Sequence, residues 1–425
     1  MQYRIIPPKT ISTNVSLPSS KSIVNRSLIM CYLSGSDRNC LGDIVGCDDT
    51  AVLCKTIDTL NNEFSNNERV FDIGAAGTAM RFLTALLTIV DGHHIITGSA
   101  RMRERPIGVL VDALRTLGAD IEYAEKEGFP PLIIKGHPLD GGSLSMAGCV
   151  SSQYVSALLL IAPYLTHGLK LSLTGHIASR PYIDMTLELM HRWNADAKWI
   201  DDKTIEVAHG CYSTKGNVRV ERDWSAATFW YEIVAISGTE GAICTSATVD
   251  ANDLMLSGSL QGDSKAAEVF ARLGVHTEMT AKGMRISSGG KVTPRLDADF
   301  GTIPDMAQAA VVTCCMLGVP FRISGLESLR IKETDRISAL LNELRKLGFV
   351  LKAEGDNALL WDGGRCNAES NPIIKTYKDH RMAMAFAPAA LMMGSITIDD
   401  PAVVSKSYPT FWTDLQEAGF DVIEK

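Results

Sequence analysis

The chain has 425 residues, 46% of them hydrophobic, and a formal charge of −8 at neutral pH. Such a length can bury a large core and favours two domains, while the negative charge excludes a general nucleic-acid-binding surface. No apolar run reaches the ~18 residues a membrane span needs, and residues 1–6 read as a strand rather than a signal peptide.

In chain order, one phrase recurs: a polar tag, about fifteen small or apolar residues, a closing Gly, then a strand-like run. The tags are Ser20-Lys21-Ser22, Gly77-Thr78, Ser151-Ser152-Gln153, Asp223-Trp224-Ser225, Ile303-Pro304-Asp305 and Asp379-His380-Arg381. They close at Gly35, Gly92, Gly168, Gly238, Gly318 and Gly394. Each tag predicts a helix start. Between the phrases lie amphipathic helices. Residues 107–117 place Ile107, Leu110, Val111, Leu114 and Leu117 on one stripe before Gly118; similar segments end at Asn61, Asn194, Gly274, Gly348 and Gly419. Strands follow, as at Ile121-Glu122-Tyr123 and Phe349-Val350-Leu351-Lys352, and residues 61–67 read as a polar surface loop. The predicted unit is helix, strand, helix, strand, strand.

The first helix of a unit differs from the second. Residues 306–317 are apolar almost all round, which marks a buried helix. Six such helices cannot all cover the outside of an ordinary α/β sheet. The predicted fold is therefore α/β with two domains, each an inside-out α/β barrel of three repeats with helices inside and sheets outside. The boundaries fall near Ser19 and Arg222, giving one domain over 20–222 and a discontinuous one over 1–19 plus 223–425, with the active site in the cleft between them. The ten cysteines form no CxxC pair and mostly sit in apolar runs such as Cys314-Cys315. That predicts packed, reduced thiols in a cytoplasmic protein, and neither a metal site nor a disulfide scaffold.

Helix N-termini favour anions. Here Lys21, Arg26, Arg81 and Arg381 add cations at those starts, and further basic groups lie at 101–105, 330–336 and Lys406. An acidic protein with cations gathered at helix starts fits small, highly charged anions. Two carboxylates stand out, Asp305 and Glu333; a helix cap and an i,i+3 ion pair would explain each in purely structural terms. His380 could likewise be structural.

Ser19-Ser20-Lys21-Ser22-Ile23-Val24-Asn25-Arg26, Gly77-Thr78-Ala79-Met80-Arg81, Arg103-Glu104-Arg105-Pro106-Ile107-Gly108, Ser151-Ser152-Gln153, Lys332-Glu333-Thr334-Asp335-Arg336 and Asp379-His380-Arg381-Met382 resemble the signatures of the 5-enolpyruvylshikimate-3-phosphate synthase family, in order and over nearly the whole chain. The resemblance implies transfer of the enolpyruvyl group of phosphoenolpyruvate to the 5-hydroxyl of shikimate 3-phosphate by a monomer, with neither metal nor organic cofactor. It places Lys21, Ser22, Arg26, Ser151, Ser152, Gln153, Ser179, Tyr182, Asp305 and Lys332 at shikimate 3-phosphate. It places Lys21, Gly77, Arg105, Gln153, Arg336, Arg381 and Lys406 at phosphoenolpyruvate. Lys21, Asp305 and Glu333 are the implied catalytic groups, and two separate acid/base groups are what addition followed by elimination requires. Flanking cations should depress the pKa of Glu333, against an acid role.

Three positions depart from the family pattern: Ala75, where Asn is common, Phe82, where Pro is frequent, and Ser328, where Asn is frequent. Ala75 and Phe82 adjoin the expected phosphoenolpyruvate residues, so altered sensitivity to glyphosate is expected. The sister transferase acting on UDP-N-acetylglucosamine carries Lys-Asn near its N-terminus and a reactive loop Cys. Lys21-Ser22 with Asn25-Arg26 favours shikimate 3-phosphate instead.

Overall fold

The computed structural model describes residues 1–62, 68–177, 179–214 and 216–425. Most of the segment expected as a polar loop, residues 63–67, lies outside the described residues. Every tag opens a helical segment. Five lead directly into Lys21–Ser34, Gly77–Ile89, Ser152–Ile161, Trp224–Ile236 and His380–Phe386. The sixth enters Ala307–Leu317 through the 3-10 turn Pro304–Met306. Asp223 and Asp379 cap their helices by accepting from Ser225 N and Arg381 N at 2.8 and 2.9 Å, which satisfies donors the helix itself cannot. Gly35 and Gly318 stop theirs at φ 66° and 67°, a region where a Cβ is disfavoured.

These helices are buried nearly all round: Trp224–Ile236 buries every residue except Ser225. The second helices are amphipathic; Gly108–Thr116 buries Leu110, Val111, Ala113 and Leu114 and exposes its other face. Truncating a core residue such as Leu83 to Ala would cost about 2–5 kcal/mol. Several buried polar side chains, Asn25, Ser27, Glu232 and Gln308 among them, have no hydrogen-bond partner among the described residues.

The chain divides into two compact units, Met1–Pro18 with Glu221–Lys425, and Ser19–Val220. In the second, the helices Lys21–Ser34, Gly77–Ile89 and Ser152–Ile161 pack on one another; in the first, Trp224–Ile236, Ala307–Leu317 and His380–Phe386 do.

One sheet order recurs five times among the described residues. A strand pairs parallel with the strand after the buried helix; the fourth strand comes next and the third lies at the edge. Arg69–Asp72, Gly92–Thr97, Leu132–Gly136 and Asp120–Tyr123 show it. The start of the chain completes two of these sheets. Ile11–Val15 takes the first place beside Ala247–Asn252, and Gln2–Ile6 takes the fourth place between Ile396–Asp399 and Asp421–Glu424. This is why the first unit is discontinuous.

Among the described residues each sheet is a separate four-stranded one, so the repeats form open sheets rather than one closed hydrogen-bonded cylinder. The first repeat also departs from the predicted unit. After Lys21–Ser34 come the 3-10 turn Arg38–Leu41, nucleated by Asp37 accepting from Asn39 N, and the helix Asp48–Asn62, with no strand between them. The polar run Ser36-Asp37-Arg38-Asn39 lacks the alternation a half-buried strand needs. A smaller difference lies at 349–352. Phe349 makes only an isolated bridge with Arg365, and the strand runs Lys352–Glu354.

All ten cysteines are free; Cys31, Cys47, Cys244, Cys314 and Cys315 are buried as expected for packed thiols, but Cys149 and Cys211 are exposed. No helix is long and apolar enough to cross a membrane.

Candidate active site

The expected residues fall into two sets, one in each unit. Their electrostatics are opposite.

In the unit Ser19–Val220, Arg26 and Arg105 lie outside any ion pair among the described residues. Arg26 sits one turn into the first buried helix, almost wholly covered, and forms no ion pair among the described residues. Its guanidinium donates from Nε to Thr186 Oγ1 at 2.7 Å, from Nη2 to Ser156 Oγ at 2.9 Å and Tyr182 O at 3.3 Å, and from Nη1 to Ser22 O at 2.8 Å. Burial lowers its pKa to about 10. Arg105 is also buried, its side chain without a hydrogen bond or ion pair among the described residues, and its Nε is enclosed. Its guanidinium lies against Gly77 so closely that a Cβ there would come within 2.5 Å of Nη1. A side chain there would displace the guanidinium, and the same glycine opens a helix whose free N–H groups favour an anion.

Lys21 has a partner. Its Nζ donates to Asp49 Oδ2 at 3.1 Å, and Asp49 sits in the first turn of Asp48–Asn62, where the helix dipole favours a carboxylate. Gln153 Nε2 donates to Thr78 Oγ1 at 3.1 Å and so joins the third tag to the second. Ser151 caps its helix by accepting from Gln153 N, and Ser152 is that helix's first residue. Ser179 precedes the helix Arg180–Arg192 at φ 52°, and Tyr182 lies in its first turn, its carbonyl facing Arg26. Arg81, singled out as a cation at a helix start, is a buttress: it donates to Gly77 O and Pro106 O at 3.1 and 3.3 Å. Phe82, expected to border the phosphoenolpyruvate residues, turns its ring to Arg26, 5.3 Å from Cζ to the ring centroid.

In the other unit, cations and carboxylates alternate. Asp305 Oδ1 accepts from Arg336 Nη1 at 2.9 Å and faces Lys332 Nζ at 3.5 Å; Oδ2 accepts from Arg381 Nη2 at 3.2 Å. Burial would raise the Asp305 pKa, yet Arg381, Lys332 and Arg336 together hold it well below the usual carboxylate range. Burial also lowers Lys332, against the pull of Asp305. Glu333 Oε2 accepts from Arg336 Nη2 at 3.0 Å and Oε1 from Lys406 Nζ at 2.7 Å. Asp305 and Glu333 are thus two separate carboxylates on one guanidinium. The helix-start position of Asp305 and the i,i+3 pair of Glu333 are both present, but each side chain reaches further than those roles need.

Sequence reasoning missed three carboxylates. Asp49 holds Lys21. Asp379 grips Arg336 while capping its own helix through Arg381 N. Asp263 accepts from Ser225 Oγ, and burial, then the nearby Asp305 charge, pushes its pKa up to about 6. Asp379 stood inside a tag and Asp49 in a helix-opening Asp48-Asp49 pair; Asp263 carries no local signal. Among the described residues, no group of three His, Cys, Asp or Glu side chains is placed to hold a metal ion.

Chemically, one set offers buried positive charge to anions, and the other offers two carboxylates with cations ready to be shared. The sequence model of the EPSP synthase (3-phosphoshikimate 1-carboxyvinyltransferase) family matches residues 5–415. A 3-phosphoshikimate 1-carboxyvinyltransferase of Bacteroides fragilis (strain YCH46) is 52% identical over 99% of both chains. Its counterpart in Shewanella pealeana is 35% identical, covering 97% of this chain and 98% of its own. Among solved structures, EPSP synthase from Acinetobacter baumannii aligns over 100% of both chains with a TM-score of 0.75 at 20% identity. The enolpyruvyl transferase NikO from Streptomyces tendae aligns over 100% of this chain and 98% of its own, with a TM-score of 0.69 at 15% identity. At such identities these two likenesses speak to the fold.

Proposed function

The chain belongs to the EPSP synthase family and is a transferase that moves the enolpyruvyl group of phosphoenolpyruvate to the 5-hydroxyl of shikimate 3-phosphate; we propose the following division of that work among its residues. Both substrates carry a phosphate, at roughly −1.5 to −2 charges near neutral pH, and a carboxylate. Shikimate 3-phosphate is held by Lys21, Ser22, Arg26, Ser151, Ser152, Gln153, Ser179, Tyr182 and Lys332. Phosphoenolpyruvate is held by Lys21, Gly77, Arg105, Gln153, Arg336, Arg381 and Lys406. The observation that carries this reading is the pair of buried guanidiniums, Arg26 and Arg105, neither in an ion pair among the described residues. Burying an uncompensated ion costs several kcal/mol, and an anionic ligand would offset that cost.

Asp305 takes the proton of the 5-hydroxyl as its oxygen bonds to C2 of phosphoenolpyruvate, while Glu333 delivers a proton to C3 and makes it a methyl group. The product of that step is a tetrahedral ketal that still carries the phosphate. Glu333 then removes a proton from the methyl group as the C2–O bond to phosphate breaks, and the proton on Asp305 leaves with the phosphate. Lys21 contacts the hydroxyl and the bridging oxygen. As the substrate anions draw Arg381, Lys332 and Arg336 towards themselves, Asp305 loses the charges that make it a weak base. Glu333 is freed to carry a proton in the same way, through Arg336 and Lys406. Neither unit holds both sets, so the reaction is proposed to need residues of each, in a cytoplasmic monomer.

Phosphate release from phosphoenolpyruvate tests the reading, measured with shikimate 3-phosphate and with UDP-N-acetylglucosamine in parallel. Release only with shikimate 3-phosphate is expected; release only with the UDP-sugar would overturn it.

A further inference from the structure

We infer that Phe82 is a positioning residue for the anionic acceptor: its ring is the platform that holds the Arg26 guanidinium in place. The inference rests on the assignment of Arg26 to shikimate 3-phosphate.

A guanidinium carries five N–H donors, all in its plane, and no acceptor. Four of the five on Arg26 go to Thr186 Oγ1, Ser156 Oγ, Tyr182 O and Ser22 O. That leaves one Nη1 N–H without an acceptor among the described residues. It is on the nitrogen that already bonds the Ser22 carbonyl, next to the tag assigned to the same ligand. The four acceptors fix the in-plane position of the group, but none bears a formal charge and none supports its faces.

The Phe82 ring, itself buried, lies against the group, with Cζ over it at 5.3 Å from the centroid. This lies within the ~6 Å over which an aromatic quadrupole attracts a cation, and a desolvated setting strengthens the attraction. A weakly hydrated planar cation stacks well on such a surface, and the ring competes for none of the in-plane N–H groups. Phe82 therefore supplies a favourable electrostatic contact to a buried charge that has no ion pair among the described residues, and it does so without occupying the donor left for the ligand. A carboxylate in its place would neutralise Arg26 and compete with the anion.

The test is titration of the full-length protein with shikimate 3-phosphate, for the natural chain, for Phe82→Leu, and for chains with 3,5-difluoro- or pentafluorophenylalanine at position 82. Fluorination weakens the ring face with little change in volume, so it separates the electrostatic role from packing even if Phe82→Leu folds poorly. Affinity should fall stepwise along the fluorinated series and by about 5- to 30-fold in Phe82→Leu. The KM for phosphoenolpyruvate and kcat should stay unchanged. A flat series, or a loss in kcat with unaltered affinity, would overturn the inference. Failure of the natural chain to bind shikimate 3-phosphate would instead overturn the functional assignment beneath it, and the inference with it.

Discussion

Arg336 and Asp379 meet through two hydrogen bonds, Nε to Oδ2 at 2.7 Å and Nη2 to Oδ1 at 3.2 Å, with both side chains buried. The pair links three carboxylates of its unit's site, because the Nη atoms of the same guanidinium also reach Asp305 and Glu333. Removing Asp379 as Asp379→Ala leaves a buried cation short of its main partner and should cost about 3–5 kcal/mol in urea unfolding. Arg336→Lys should fold, yet a single ammonium cannot reproduce the fork. Its kcat/KM for phosphoenolpyruvate should fall by at least ~10-fold, and an unchanged value would remove Arg336 from the site.

The two carboxylates proposed for proton transfer should fail in kcat rather than in folding. Asp305→Asn and Glu333→Gln are each expected to lower kcat by ~10²–10⁴-fold. Single-turnover quenching separates this from slow binding. A variant that loses affinity for both substrates but keeps its chemical rate would show that its carboxylate only arranges cations.

Asp263 gives a pH signature. Its pKa in the fold is about 6, raised from 3.8 chiefly by burial. The stability it contributes as the neutral acid is fully present below pH ~3.8 and is lost as pH rises through 6, about 3 kcal/mol in all. Roughly 1 kcal/mol of that loss falls between pH 5 and 8. Asp263→Asn cannot ionise, so its stability relative to the natural chain should improve by that amount over the same interval. Parallel urea midpoints at both pH values would refute the assignment of the charge to Asp263.

Much of this was legible in the sequence because the same physics repeats. Ser20, Ser151, Asp223 and Asp379 open their helices where polar caps precede apolar runs, and Gly35 and Gly318 stop them where φ turns positive. Asp305, Glu333 and the arginines were visible as charges out of place beside buried helices. What the sequence hid depends on long-range partners. Asp49 is 28 residues from Lys21, and Thr186 is 160 from Arg26. The Phe82 ring was read as a neighbour of one substrate's residues, but the helix phase turns it to Arg26. The missing strand in the first repeat was masked by the regularity of the other five.

Glu232 offers a test away from the site. It is fully buried in the helix Trp224–Ile236, neither carboxyl oxygen has a partner among the described residues, and burial holds its pKa well above the usual range. An unsatisfied buried polar group costs about 1–3 kcal/mol. Glu232→Met should therefore raise the thermal midpoint and leave the rate of phosphate release unchanged. A lower midpoint would point to an internal partner for the acid.

The most direct measurement is the deuterium content of the product's methylene group after turnover in D2O with both substrates. Addition and elimination through a methyl-bearing ketal, with Glu333 exchanging its proton with solvent, predict solvent deuterium at that carbon. A product with an entirely protiated methylene would contradict the ketal and the role given to Glu333.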